Sequence, residues 1–272
     1  MSLTRAQFER AAALEQHQQR LTQLSRMSSG ALHALLQGDP ERAAEWVRGA
    51  AECGLPAAQV RLGRMLLDGA GVERDEAAAW QWFARAAAQR DPEALNMVGR
   101  CHENGWGTPV DLEQAAASYR ASGAGGHDWG QYNFGNLLFD GRGVPPDRSR
   151  ALRWYLRAAA QGHARAMNLV ARCLEEGWGC RRSVAEAVYW YGRSAAAGYF
   201  RAQFNYAALL AERGSPEAAA QWFAAAMAGG DTNMLRAIAA TLARAVHPAL
   251  RRVRARALAL LAADGQVTSA AR

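Results

Sequence analysis

No stretch of this chain approaches the roughly 18 consecutive apolar residues that a membrane-spanning helix needs. The longest candidates, such as Ala257 to Ala263, are short and lie beside arginines. Nor is there an uninterrupted secretory core at the start, where Arg5, Glu9 and Arg10 intervene, so a cytoplasmic location is expected. Aromatic residues make up only 8% of the chain although half of it is apolar, with alanine foremost. That balance argues against one thick core and for many thin helices packed closely. Cysteine is scarce as well: Cys53, Cys101, Cys173 and Cys180 form no CxxC or Cys/His cluster of zinc spacing. Cys101 and Cys173 are too far apart along a helical array to form a disulfide, whereas Cys173 and Cys180 could approach each other. Buried free thiols are the expectation in a cytosolic setting.

Equally missing is a convergent nucleophile, base and charge stabiliser. Of the six histidines, His17, His33, His102 and His247 are isolated, while His127 and His163 recur at one repeat position and read as structural. The run Gly123-Ala124-Gly125-Gly126 follows no strand and precedes no Gly-Lys-Ser/Thr, so it reads as a loose helix end or hinge and not as a phosphate loop. The chain is therefore expected not to be an enzyme, with no catalytic residue, metal, cofactor or small-molecule substrate.

The formal charge of +7 suggests nucleic acid until it is located. Residues 232–272 hold seven arginines (Arg236, Arg244, Arg251, Arg252, Arg254, Arg256 and Arg272) against one acid, Asp264, so +6 of the +7 belongs to the tail. Two closing helices are expected there, 232–245 and 249–263, with Leu250, Val253, Ala257 and Leu261 on one face and Arg251, Arg252, Arg254 and Arg256 mostly on the other. Such a face could touch phosphates or an anionic membrane. It has no lysine, no interleaved aromatics and no nucleic-acid motif, which favours a solvated capping face.

What the chain has in plenty is glycine, 26 residues of it, placed at a fixed period. Its 272 residues exceed one compact helical domain, so two domains or an elongated array are expected. Glycine pairs stand at Gly69/Gly71, Gly105/Gly107, Gly141/Gly143 and Gly177/Gly179, each step thirty-six residues. Gly63, Gly99, Gly135 and Ala171 precede them at one column, and Asp75, Asp111, Asp147 and Ser183 follow at another. Rings complete the unit at Phe83, Tyr119, Tyr155 and Tyr191, often after a tryptophan (Trp82, Trp154, Trp190). Glycine inside a helix costs about 1 kcal/mol against alanine, so the first column marks a close helix approach. The Gly-x-Gly pair supplies the positive φ that ends the first helix. The Asp/Ser column caps the second helix, and the rings fill the space between helices.

The unit is thus helix, turn, helix: 57–67 with 75–89, 93–103 with 111–124, 129–139 with 147–161, and 165–175 with 183–197. An amphipathic helix over 4–28, opened by Thr4 with Gln7, heads the chain. This divides it into an N-terminal capping helix (1–29), a degenerate repeat (30–56), four full repeats (57–200), a shortened fifth (201–230), basic capping helices (231–264) and a disordered tail (265–272). Atypical ends are what an array needs to cover its terminal faces.

The pattern carried by Ala58, Leu62, Gly63, Gly69, Gly71, Val72, Asp75, Ala79, Trp82, Phe83 and Ala86 resembles the Sel-one-like repeat, a relative of the tetratricopeptide repeat. The chain departs from it at Ser118, at Trp129 and Gly130, and in the short fifth unit. The resemblance implies an all-α, right-handed solenoid of antiparallel helix pairs used as a protein-binding adaptor or scaffold, its first helices lining the concave face. On those helices Arg64, Arg100, Asn136 and Arg172 form a ladder one residue after the packing column. Asn96, Asn133, Asn168 and Asn205 lie just before it, and Arg165 and Arg201 open the later helices. Arginine forks bind carboxylates in bidentate fashion and asparagine can bond both sides of a peptide group. These residues are the candidate groove for a protein or peptide partner with acidic or C-terminal carboxylate groups. Pairing of the ladder arginines with Glu103, Asp68 and Glu175 is the competing expectation. Trp106 and Trp178, between the glycines of alternate pairs, are candidate contact anchors or lids over repeat junctions.

Overall fold

The computed structural model describes residues 38–270, together with Gln19 and Thr22, with side chains to Ala263. The expected helix over 4–28 and the opening of the degenerate repeat lie outside the described residues. The chain divides into two compact units, Met1–Pro146 and Asp147–Arg272. Among the described residues of the first are α1 (Pro40–Glu52), α2 (Pro56–Asp68), α3 (Glu76–Ala88), α4 (Pro92–Asn104), α5 (Leu112–Ala124) and α6 (Asp128–Asp140). The second holds α7 (Arg148–Ala160), α8 (Ala164–Glu176), α9 (Val184–Ala196), α10 (Phe200–Glu212), α11 (Pro216–Gly229), α12 (Thr232–Thr241) and α13 (Pro248–Ala270). The fold is all-α, a helical-repeat solenoid, and within each unit successive helices pack on one another.

Each repeat column does identifiable work. The first glycine of a pair is the left-handed cap of its helix: Gly69 has φ 69° and its N–H donates to the Met65 carbonyl. Asp75, Asp111 and Asp147 then accept the backbone N–H groups of Ala78, Gln114 and Arg150 at 2.8–3.0 Å, satisfying amides that the helix start leaves orphaned. Phe83, Tyr119, Tyr155 and Tyr191 are fully buried, each contributing on the order of 1.5–3 kcal/mol through apolar burial. The packing column faces these rings, since a Cβ added at Gly63 would lie 2.5 Å from Phe83 and one at Gly99 2.7 Å from Tyr119. The accompanying tryptophans are half-buried under an arginine three residues on, as with Trp82 beneath Arg85 at 4.5 Å and Trp154 beneath Arg157 at 4.6 Å.

Two departures from expectation are instructive. The second glycine of each pair is there for packing as much as for turning. A Cβ at Gly107 would stand 2.1 Å from the Glu76 carbonyl oxygen, at the start of the preceding second helix. Gly71 and Gly143 meet Pro40 and Leu112 the same way. The Gly123–Gly126 stretch is no loose end: Gly123 is buried, and a Cβ at Gly130 would meet the Ser122 hydroxyl at 2.2 Å. Gly130 departs from the repeat pattern because α5 and α6 approach so closely.

In the second unit α11, α12 and α13 close over Phe223, Ile238, Leu242, Leu250, Val253 and Ala257. The penultimate helix ends at Thr241 and not 245, and α13 runs to Ala270, into the segment 265–272 expected as a tail. No helix among the described residues is long and apolar enough to cross a membrane.

Candidate partner-binding face

The first helices present their ladder one residue beyond the packing column. When Gly63 faces Phe83, the next residue is turned by about 100°, away from the second helix. Arg64, Arg100 and Arg172 are accordingly exposed, while Asn136 is half-buried and engaged by its surroundings.

The expected acidic partners are not the ones used. Glu103 accepts from the Tyr119 hydroxyl at 2.7 Å and from Arg142 at 2.9 Å, and Glu175 accepts from the Tyr191 hydroxyl at 2.7 Å. Burial first, and then these carboxylates, hold both phenols above their ordinary pKa. Arg64 instead pairs with Glu93 in the first turn of α4, at 2.5 Å. Both side chains are about half exposed, so the pair is worth at most about 1 kcal/mol.

Arg100 and Arg172 have a different neighbour. The guanidinium of Arg100 lies over the Trp106 ring at 4.9 Å and that of Arg172 over Trp178 at 5.1 Å. Ladder and turn tryptophans, distinct in the sequence, form one arrangement: the indole is the shelf on which the arginine rests. Such stacking contributes roughly 0.5–1 kcal/mol at exposed sites and orients the fork without neutralising it. In the first unit a cleft of about 490 Å³ opens beside Arg100, with Leu67, Met97, Arg64 and Trp106 among its walls.

The asparagines serve chiefly one another. Asn133 donates to Asn96 at 2.9 Å between α4 and α6, and Asn205 donates to Asn168 at 3.0 Å between α8 and α10. Asn96 and Asn168 are buried, so these two are inter-helix struts instead of exposed peptide contacts. Arg165 and Arg201 are exposed at the second residue of α8 and α10. Cations there oppose the helix macrodipole, at a cost of about 0.3–1 kcal/mol each, whereas Glu93 at the same position of α4 favours it.

His127 and His163 are N-caps, their Nδ1 atoms accepting from the N–H of Gly130 at 3.2 Å and of Ala166 at 3.1 Å. Capping needs the neutral ring, and burial holds His127 below the ordinary histidine pKa. All four cysteines are free thiols. Burial pushes Cys101 and Cys173 up to about 12, and the Cys180 thiol donates to the Cys173 carbonyl at 3.4 Å. On α13, Arg251, Arg252 and Arg256 are exposed and Arg254 half-buried, above the buried Leu250, Val253 and Ala257. Among the described residues no group of three or more His, Cys, Asp and Glu is arranged to hold a metal ion.

The Sel1 repeat pattern matches residues 29–55, 56–91, 92–127, 130–163 and 164–199, more than half of the chain. The chain belongs to the Sel1 repeat family. Members of this family generally mediate protein–protein interaction and are generally non-catalytic scaffolds. Chitin synthase regulator SKT5 of Saccharomyces cerevisiae is 40% identical over 60 residues, covering 22% of this chain and 9% of that protein. This chain therefore spans less than a tenth of that curated relative's length. A Sel1 repeat protein from Oxalobacter formigenes superimposes with TM-score 0.73 at 24% identity, covering 84% of this chain and 97% of that one. The SLR-fold protective antigen c5321 of uropathogenic Escherichia coli gives 0.73 at 23% identity, with 96% and 56% covered. At these identities the likeness is one of fold.

Within the Sel1 array the polar contacts return at twice the repeat length. The repeats over 92–127 and 164–199 each hold an arginine on a turn tryptophan, a part-buried Tyr–Glu bond, and a serine bonding a backbone carbonyl: Ser122 to Pro92 at 2.6 Å, Ser194 to Ala164 at 2.7 Å. Gln131 and Gln203 bond the Gly123 and Ala195 carbonyls in matching positions. The same alternation shows in the sequence at Cys101/Cys173 and Trp106/Trp178.

Proposed function

We propose that this protein is a non-catalytic scaffold that holds acidic groups of a partner protein on the first helices of each unit. The supporting observation is the pair of exposed guanidiniums of Arg100 and Arg172, each laid on a turn tryptophan and neither in ion-pair contact with a carboxylate among the described residues. An arginine fixed by stacking keeps its N–H edge for a bidentate carboxylate at reduced entropic cost. Arg64 contributes less, because Glu93 already engages it. Trp106 and Trp178 add apolar area beside the charge, the composition that dominates interface energetics.

The test is recovery of partners from the native cell by the intact chain and by a variant carrying Arg64→Glu, Arg100→Glu and Arg172→Glu. Loss of the main partner from the variant is expected, with the helical content and unfolding midpoint close to those of the parent. Unchanged recovery would sink the reading. The rival surface is the basic C-terminal helix, contacting nucleic acid or an anionic membrane. Its arginines at 251, 252, 254 and 256 are spread around the helix and one is half-buried, which favours a solvated cap.

A further inference from the structure

Where α2 meets α4, Arg64 of one first helix reaches Glu93 in the first turn of the next. Three repeats further on, the same two register positions are held by Arg172 on α8 and Arg201 in the first turn of α10. The two junctions share the helix register, although Asn168 and Asn205 tie α8 to α10 where Val60 and Met97 stand at the corresponding places of α2 and α4. At the ion-pair positions a guanidinium replaces the carboxylate. Among the described residues no acid lies within ion-pair distance of Arg172 or Arg201. Each guanidinium lies against a ring, Arg172 over Trp178 at 5.1 Å and Arg201 over Phe200 at 5.8 Å, so one face is covered and the N–H edge stays available. Two exposed cations thus occupy positions where the repeat elsewhere holds an ion pair, and the second of them works against the dipole of its own helix. One anion held by both offsets the opposition of Arg201 to its own helix dipole and takes the place that the carboxylate has in the first unit.

We infer that Arg172 and Arg201 form a seat for a carboxylate side chain, a glutamate or aspartate of a partner protein standing where Glu93 stands in the first unit. The seat rests on the reading of the first helices as the binding face and adds its place and chemistry: one side-chain carboxylate shared by two guanidiniums. Trp178, beside Arg172, then takes an apolar residue next to that acid in the partner.

The probe is an acetylated, amidated tetraglutamate peptide titrated into the full chain, followed through the arginine Nε–Hε resonances by NMR. The expected result is a saturable shift of the Arg172 and Arg201 signals. Arg201→Glu restores the internal pair with Arg172, so affinity at this seat falls by about tenfold or more while the unfolding midpoint is unchanged or higher. Because that variant strengthens its helix start, loss of binding cannot be put down to misfolding. Failure of both signals to move in the parent chain, or equal movement of the Arg172 signal in R201E, overturns the seat. A peptide that acts only with a free C-terminus, or inorganic phosphate binding more tightly than the peptide, overturns the side-chain assignment. A peptide that moves Arg100 but neither Arg172 nor Arg201 overturns the seat and leaves the first-helix reading standing. One that moves none of the three overturns both.

Discussion

Replacing Gly107 by alanine separates the two jobs of a turn glycine. Gly107 has φ 67°, and its missing Cβ would stand 2.1 Å from the Glu76 carbonyl oxygen and 2.8 Å from the Ala77 Cα. Gly54 is its control, with φ 87° and nothing within 4 Å of the added atom. Both substitutions impose the left-handed conformation on a residue with a side chain, costing about 1–2 kcal/mol. At Gly107 the added methyl also meets backbone, which cannot rotate aside, and overpacking of that kind adds about 1–3 kcal/mol. Gly54→Ala should therefore destabilise by about 1–2 kcal/mol and Gly107→Ala by about 2–5 kcal/mol. The clash lies between neighbouring repeats, so the coupling that makes such an array unfold as one unit is weakened too. Urea unfolding followed by circular dichroism reads both effects: a lower midpoint for G107A than for G54A, and a shallower slope in G107A alone. Equal midpoints would refute the claim that the second glycine is a packing position.

Further outcomes follow from the buried titratable groups and the tail. The His127 cap requires a neutral ring whose pKa is held below the ordinary value, so its contribution is present above about pH 6.5 and is lost as pH falls through the lowered folded value. Stability should decline on acidification from pH 7.5 to 5.5, and His127→Asp, which installs the cap that Asp91 provides in α4, should flatten part of that decline in urea midpoints. Alkylation of the native chain at pH 8 should spare Cys101 and Cys173, whose thiols are buried and pushed up to about 12, and modify Cys180 and Cys53 first, as read by peptide mass spectrometry. Arg251→Glu combined with Arg252→Glu and Arg256→Glu should leave partner recovery unchanged, whereas salt-sensitive retention of the parent on nucleic acid, lost in this variant, would transfer the binding role to the tail.

Much of the fold was legible because its columns are chemically unambiguous. Glycine at positive φ, aspartate before a helix and a ring at fixed distance each have one dominant physical use, and their thirty-six-residue spacing locates the helices to within a residue or two over most of the array. Contacts were less legible. Spacing along one helix shows which residues share a face, but not what faces them across a neighbouring helix. The ladder arginines were visible, yet their partners lay elsewhere: Glu93 is twenty-nine residues after Arg64, and Trp106 belongs to a turn. The asparagines share a column in the sequence, but spacing along one helix does not show that their side chains meet across helices, Asn133 with Asn96 and Asn205 with Asn168. Likewise nothing local marks the second glycine of the pair as touching the preceding helix start.

The most direct test of the binding face is photocrosslinking from two positions on the second unit in the native cell. A photoreactive phenylalanine analogue at Glu176, exposed one turn after Arg172 on α8, samples the first-helix face, and one at Tyr189, which is 59% exposed on the second helix α9, samples another. One partner is expected to be captured from position 176 but not from 189, and Arg172→Glu to abolish the capture. Capture of the same partner from 189 alone, or capture from 176 that survives Arg172→Glu, would contradict a first-helix binding face.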